Sequence, residues 1–220
     1  MLFCEPVAIE QIIDLLEHEY YPRVWHSHED PIDVLIRTIL SQNTSDTNSG
    51  GAFASLKASF DGWEAVAVAP TEHIAQAIRS GGLFRIKAAR IGRVLEQIER
   101  DQGRISLDSL KSMNAAEAAD YLMHLPGVGP KTANCVLLFS LGKPCLPVDT
   151  HVFRVAKRLG LVDSRVSIEK AHTLLQEQIP PSKVYQVHVH MIEHGRRICH
   201  ARRPRCHRCI LMGACPSSLC

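Results

Sequence analysis

The chain has 220 residues, 45% of them apolar and 22% charged, with a formal net charge of +2. That length supports one sizeable core or two smaller ones sharing an interface, and the balance is that of a globular protein rather than a disordered or fibrous one. No apolar run approaches the roughly 20 residues of a membrane span, and the opening Met1-Leu2-Phe3-Cys4-Glu5-Pro6 lacks the regions of a secretory signal. An intracellular setting is therefore expected, where structural disulfides are disfavoured.

The net charge hides an uneven distribution. Residues 1–33 carry eight acids and one arginine, Arg23. From His194 onward there is no acid, while Arg196, Arg197, Arg202, Arg203, Arg205 and Arg208 crowd together. Such like charges repel unless an anionic partner neutralises them, so this end reads as a phosphate-binding face.

Apolar residues recur at helical spacing along the chain. Ile9, Ile12, Ile13 and Leu16 form a first stripe, and Ile32, Leu35, Ile36, Ile39 and Leu40 a second. Ile91, Val94, Leu95 and Ile98 repeat the pattern, as do Val152, Val155, Ala156 and Leu159. Turn signals fall between them at Asp61-Gly62, Ser80-Gly81-Gly82, Gly142-Lys143-Pro144 and Pro180-Pro181. Val187, Val189 and Met191 alternate with histidines as a strand would, but no partner strand is evident and a helix is expected. The expected fold class is all-α, with about ten short helices and no internal repeat.

Residues 125–132 read Leu-Pro-Gly-Val-Gly-Pro-Lys-Thr, between expected helices over 115–125 and 131–141. Pro126 ends the first helix, because the residue before a proline disfavours helical geometry. Gly127 and Gly129 let the backbone approach a ligand closely. Pro130 suits the first position of the next helix, whose unpaired first-turn N–H groups are ready for a phosphate. The same pattern also serves as a plain helix–helix turn. Lys131 then stands at the positive end of a helix dipole, a poor place for a cation whose only task is stability. There the neutral, nucleophilic amine is favoured. Eighteen positions later, Asp149 in Pro-Val-Asp-Thr-His fits a helix N-cap. A cap fixes the carboxylate and leaves one oxygen for supporting cationic character on a sugar.

Four of the eight cysteines form Cys199-x6-Cys206-x2-Cys209-x5-Cys215. In a reducing compartment a metal site is the default reading. Zinc sites usually show two close pairs and this ladder has one, whereas four thiolates at irregular spacing suit a [4Fe–4S] cluster. The loop His200-Ala-Arg-Arg-Pro-Arg205 lies between the first two cysteines, so the metal would brace a basic loop. Cys135 and Cys145 are expected to pack as small apolar residues, and Cys4 and Cys220 have no partner spacing.

Taken together, the Leu-Pro-Gly-Val-Gly-x-Lys-Thr-Ala hairpin, Val-Asp-Thr-His, His194-Gly195-Arg196 and the cysteine ladder resemble the endonuclease III family of helix-hairpin-helix DNA glycosylases. The resemblance covers nearly the whole chain and strengthens the cluster reading over zinc. It implies a bifunctional base-excision enzyme, a DNA glycosylase and abasic-site lyase. Such an enzyme flips a damaged pyrimidine out of the duplex, displaces it with Lys131 through a Schiff base, and nicks the strand by β-elimination. Asp149 is then the catalytic carboxylate, and Cys199, Cys206, Cys209 and Cys215 are the ligands of a [4Fe–4S] cluster. The implied architecture has a six-helix module over 25–136 inserted into a second module of 1–24 and 137–220, with a DNA cleft between them. The acidic N-terminal segment would lie away from the DNA. The implied partner is double-stranded DNA with a damaged pyrimidine or an abasic site. No membrane is involved, and a DNA-associated monomer is expected.

Base flipping leaves a gap that a side chain must fill. Leu83, in Gly82-Leu83-Phe84, resembles the family's wedge. The other filler is normally a glutamine in Leu-Ser-Ala-Gln-x-Thr-Asp. Here the segment reads Leu40-Ser41-Gln42-Asn43-Thr44-Ser45-Asp46, so Asn43 holds the family position and either Gln42 or Asn43 could plug the gap. The expected DNA contacts are Gln42, Asn43, Leu83, Gly127, Gly129, Arg202, Arg203 and Arg205. Pro130 replaces a basic residue often found there. Of the twelve histidines, only His151 beside Asp149 invites a role in the site. His188, His190 and His194 lack acidic or thiol company at useful sequence spacing. A monofunctional mismatch glycosylase is an alternative reading, but it lacks lysine at 131 and carries a glutamate in the helix that here reads Asp33 to Leu40. A non-catalytic damage-binding protein would have no need of Lys131 with Asp149, and a redox-signalling cluster protein would leave the rest of the chain unexplained.

Overall fold

The computed structural model describes residues 8–26 and 29–218, so Cys4 and Cys220 lie outside the described residues. Among those residues there is no strand. The helices in chain order are α1 (Ile9–Tyr20), α2 (Pro31–Ser41), α3 (Asp46–Ser59), α4 (Gly62–Ala67), α5 (Thr71–Ala77) and α6 (Phe84–Gln102). They continue as α7 (Ala115–His124), α8 (Pro130–Phe139), α9 (Thr150–Arg158), α10 (Ile168–Gln178) and α11 (Val184–Arg197). The all-α expectation holds. The alternating 187–191 stretch is helical, within α11. No described helix is long and apolar enough to cross a membrane.

The chain divides into two compact units, Ser27–Lys143 and Met1–His26 with Pro144–Cys220. In the first, α2 packs on α3 and α8, α6 packs on α4 and α5, and α7 packs on α8. Local signals set these helices. Asp30 caps α2 by accepting from the Ile32 and Asp33 N–H groups, with Pro31 at the first helical position. Asn114 and Glu117 form a reciprocal capping box at the head of α7. The stripes read from the sequence are the core: Leu35, Ile36, Ile39, Leu40, Ile91, Val94, Leu95 and Ile98 are fully buried. Each such side chain contributes roughly 1.5–3 kcal/mol through loss of apolar surface from water.

In the second unit α11 packs on α1 and α9. Ile12, Ile13, Leu16 and Tyr20 form the buried face of α1. Gly195 brings α11 close to the start of α9, where a Cβ would sit 3.0 Å from His151 Cβ. His188 and His190 are buried and satisfied locally: His188 Nδ1 lies 2.9 Å from Pro147 O, and His190 Nε2 lies 2.9 Å from Tyr21 O. Cys135 is buried as expected, while Cys145 is only half-buried.

Candidate active site and nucleic-acid interface

The hairpin forms as the sequence requires. α7 stops at His124, the Val128 N–H closes a turn onto Leu125 O at 3.1 Å, and α8 begins at Pro130. Gly127 has φ +73, the left-handed region that glycine tolerates best. Val128 is buried under the turn, whereas Gly127, Gly129 and Pro130 are exposed. No side chain caps α8. Its first-turn N–H groups therefore remain available to an anion. Lys131 is the second residue of α8 and is half-buried. Arg90, from α6, fills the space that a Cβ on Gly127 would need, and its guanidinium donates to Gln42 Oε1. Gln42 in turn donates to Thr132 Oγ1 at 3.3 Å. Hairpin, α6 and the turn after α2 are thus tied together beside Lys131.

Two of the three candidate gap fillers share a feature that composition does not reveal. Asn43 has φ +51 and Leu83 has φ +48, a left-handed region that asparagine tolerates and leucine rarely adopts. Asn43 is exposed, while Gln42 is half-buried and engaged with Arg90 and Thr132. Leu83 is 53% exposed, so it is not a core leucine. An exposed leucine held in a strained conformation at a helix head suits a wedge. Asp33, the carboxylate-bearing residue of α2, accepts from Lys57 Nζ at 3.1 Å and Trp63 Nε1 at 2.9 Å, a structural engagement.

In the other unit, Asp149 caps α9. Its Oδ1 accepts from the His151 and Val152 N–H groups, both at 2.8 Å. Both cap bonds fall on one oxygen, which leaves Oδ2 outside the cap. The first turn of α9 is braced by Arg154, whose guanidinium donates to Cys199 O at 2.9 Å and Gly195 O at 2.8 Å, and lies 3.1 Å from His151 Nδ1. Burial lowers the basicity of His151 more than the Asp149 carboxylate raises it. Arg158, one turn on, donates to Cys199 Sγ at 3.2 Å, His200 O at 2.7 Å and Ala201 O at 3.1 Å. One helix thus carries Asp149 at its head and two arginines that hold the cysteine loop.

Cys199, Cys206, Cys209 and Cys215 all line one cavity, with Leu159, Ile198, Pro204 and Leu211 among its apolar walls. It measures about 450 Å³ counting its open mouth. Among the described residues no three His, Cys, Asp or Glu side chains are close enough to hold a single ion. Four thiols lining one cavity are a donor set of the kind that holds an iron–sulfur cluster. Burial pushes the Cys209 thiol up to about 11, with the other three cysteines adding to the effect. Arg202, Arg203 and Arg205 are exposed on the loop between the first two cysteines.

Sequence reasoning missed Arg90, Arg154, Arg158 and the thiol neighbour of His194, whose Nε2 lies 3.4 Å from Cys209 Sγ. Only His194 left a trace, in the His-Gly-Arg triplet.

A family model for HhH-GPD superfamily base excision DNA repair proteins matches residues 36–181. Endonuclease III of Thermotoga maritima is 38% identical over 193 residues, 86% of this chain and 84% of that protein. Endonuclease III of Bacillus subtilis is 31% identical over 208 residues, 94% of this chain and 90% of that protein. A putative DNA glycosylase of Arabidopsis thaliana is 41% identical over 171 residues, and the chain spans 58% of its length. A solved non-covalent endonuclease III–DNA complex and a trapped covalent intermediate each align with a TM-score of 0.83 at 31% identity, over 96% of this chain and 95% of theirs. The chain therefore belongs to the endonuclease III family within the HhH-GPD superfamily, and it is a base-excision-repair DNA glycosylase.

Proposed function

We propose that the enzyme is bifunctional, removing oxidised pyrimidines from double-stranded DNA and cleaving the resulting abasic site. The observation that carries this reading is Lys131, half-buried in the uncapped first turn of α8. Its neutral amine attacks the deoxyribose C1′, the glycosidic bond breaks, and the base leaves with that electron pair and takes up a proton. Positive charge develops on the sugar as the bond stretches, and the Asp149 oxygen outside the cap is the counter-charge. Nζ then gives up a proton and its lone pair forms the C1′=N bond as the C1′–O4′ bond breaks; O4′ keeps that electron pair and takes up a proton as a hydroxyl, leaving a Schiff base between Nζ and C1′. Removal of a C2′ proton then expels the 3′ phosphate, and hydrolysis frees the lysine.

The exposed hairpin backbone and the arginine loop supply phosphate contacts, and Leu83 with Asn43 takes the space vacated by the flipped nucleotide. Cys199, Cys206, Cys209 and Cys215 would hold a [4Fe–4S] cluster. Its contribution is structural cross-linking of the 199–215 loop, through which Arg154 and Arg158 brace α9. α2 carries no glutamate, and its one carboxylate, Asp33, is held by Lys57 and Trp63 through Oδ1, which supports the bifunctional reading over the mismatch-glycosylase alternative. Base release from duplexes carrying thymine glycol, compared with duplexes of normal pyrimidines, tests the substrate class. Release confined to the oxidised base supports it, and release of neither base removes it.

A further inference from the structure

Lys87 lies in the first turn of α6 and is only 3% exposed. Its ammonium donates to Leu40 O at 2.6 Å, Thr44 Oγ1 at 2.6 Å and Gly81 O at 2.8 Å, which uses all three of its protons. A buried cation is costly unless such bonds replace water. Two of the acceptors are carbonyls at the ends of helical segments, α2 and the short 79–81 turn, where the backbone dipole is negative. Burial lowers the amine's basicity, with Arg90 adding to the effect.

Leu40 O and Thr44 Oγ1 belong to the end of α2 and the turn after it, and Gly81 O to the 79–81 turn; each stretch carries an exposed tip with positive φ beside its anchor. Asn43 (φ +51) immediately precedes Thr44, and Leu83 (φ +48) follows Gly81 by way of Gly82 (φ +59). Thr44 Oγ1, while accepting from Lys87, also donates to Gly81 O at 2.6 Å, so the two stretches are cross-linked at one point. Left-handed geometry disfavours leucine at position 83, and asparagine at 43 much less, and such a conformation at a leucine persists only where surrounding contacts over-determine it.

We propose that Lys87 is a positioning residue that locks the Asn43 and Leu83 tips in a fixed mutual register, and that insertion of these tips into the DNA stack depends on this clamp. The inference rests on the base-flipping reading above. It gives a buried cation, remote in sequence from Lys131, a role in substrate opening rather than in bond breaking.

The test compares wild type with Lys87→Met, and Thr44→Val with Thr44→Ser, which loses or keeps the hydroxyl acceptor. Insertion is read by 2-aminopurine fluorescence beside a tetrahydrofuran abasic analogue in a duplex. Nicking of a pre-formed abasic site in single-stranded DNA, which has no stack to open, is the control. Thermal unfolding establishes that each variant is folded. Lys87→Met and Thr44→Val should lower the insertion signal and the rate of duplex base release about tenfold, with single-stranded nicking and Thr44→Ser near wild type. A folded Lys87→Met with wild-type insertion overturns the clamp. Should Lys87→Met fail to fold, equal insertion by Thr44→Val and Thr44→Ser overturns it instead. Wild type that neither inserts nor nicks would remove the flipping reading and the clamp together, a result separable from loss in the variants alone.

Discussion

The Tyr20 hydroxyl lies 2.9 Å from Nδ1 of His194, and the opposite ring nitrogen lies 3.4 Å from Cys209 Sγ. Burial pushes the His194 imidazole down to about 4, so the ring is neutral and carries one proton. If a bound cluster held Cys209 as a thiolate, that proton would sit on Nε2 and Nδ1 would accept from Tyr20. The tyrosine hydroxyl, which can donate or accept, and the Cys209 sulfur thus hold the two nitrogens of one buried ring. Tyr20→Phe should cost about 1 kcal/mol in urea unfolding, and His194→Phe about 1–3 kcal/mol because it strands the buried hydroxyl. His194→Phe should also lower the iron retained per chain. Full retention of iron and stability in that variant would detach the histidine from the cysteine site.

Gly127→Ala should be among the most damaging substitutions in the hairpin. The position has φ +73, and a Cβ would collide with the Arg90 side chain. A loss of about 1–3 kcal/mol is expected, with weaker binding to undamaged and damaged duplexes alike. Gly129→Ala has nothing near its Cβ and no positive φ, so it should be much milder in stability. Equal losses at both positions would contradict this assignment.

Neutralising Arg202, Arg203 and Arg205 together should weaken binding to all duplex sequences and lower the salt slope by up to about three units of released counterion. An unchanged slope would take the loop out of the interface.

Half-buried His172 and buried His190 are held below the ordinary imidazole range, mainly by desolvation. Above pH 6.5, the value for a free imidazole, neither folded nor unfolded chain protonates them, and their contribution to stability is intact. As pH falls below that value the unfolded chain takes up protons that the folded one resists, so stability declines towards the lower folded pKa values. The urea midpoint should therefore drop between pH 7 and pH 5, and His190→Gln should flatten the drop. A pH-independent midpoint would mean that these rings accept protons within the fold.

The helical core was legible because stripes such as Ile32 to Leu40 and Ile91 to Ile98 follow one period, and the Asp149 cap because it acts on its own first turn; the caps at Asp30 and Asn114 went unread. The hairpin was legible for the same reason as the Asp149 cap: Pro126, Gly127 and Pro130 act on their own backbone. What stayed hidden were long-range ties. Nothing near Lys87 in sequence announces that its ammonium reaches Leu40 and Thr44, 47 and 43 positions away. Arg158 meets Cys199 across 41 positions, and Tyr20 meets His194 across 174. Gln42 and Asn43 looked equivalent because composition does not record backbone dihedrals. The structure separates them, one hydrogen-bonded inward and the other exposed at a tip with positive φ.

Borohydride trapping on a duplex with a single thymine glycol, comparing wild type with Lys131→Ala, tests the Schiff-base mechanism most directly. A covalent protein–DNA adduct in the wild type that is absent from the variant, with DNA affinity largely retained, is the predicted result. Base release without any adduct, or an adduct that survives Lys131→Ala, would contradict it.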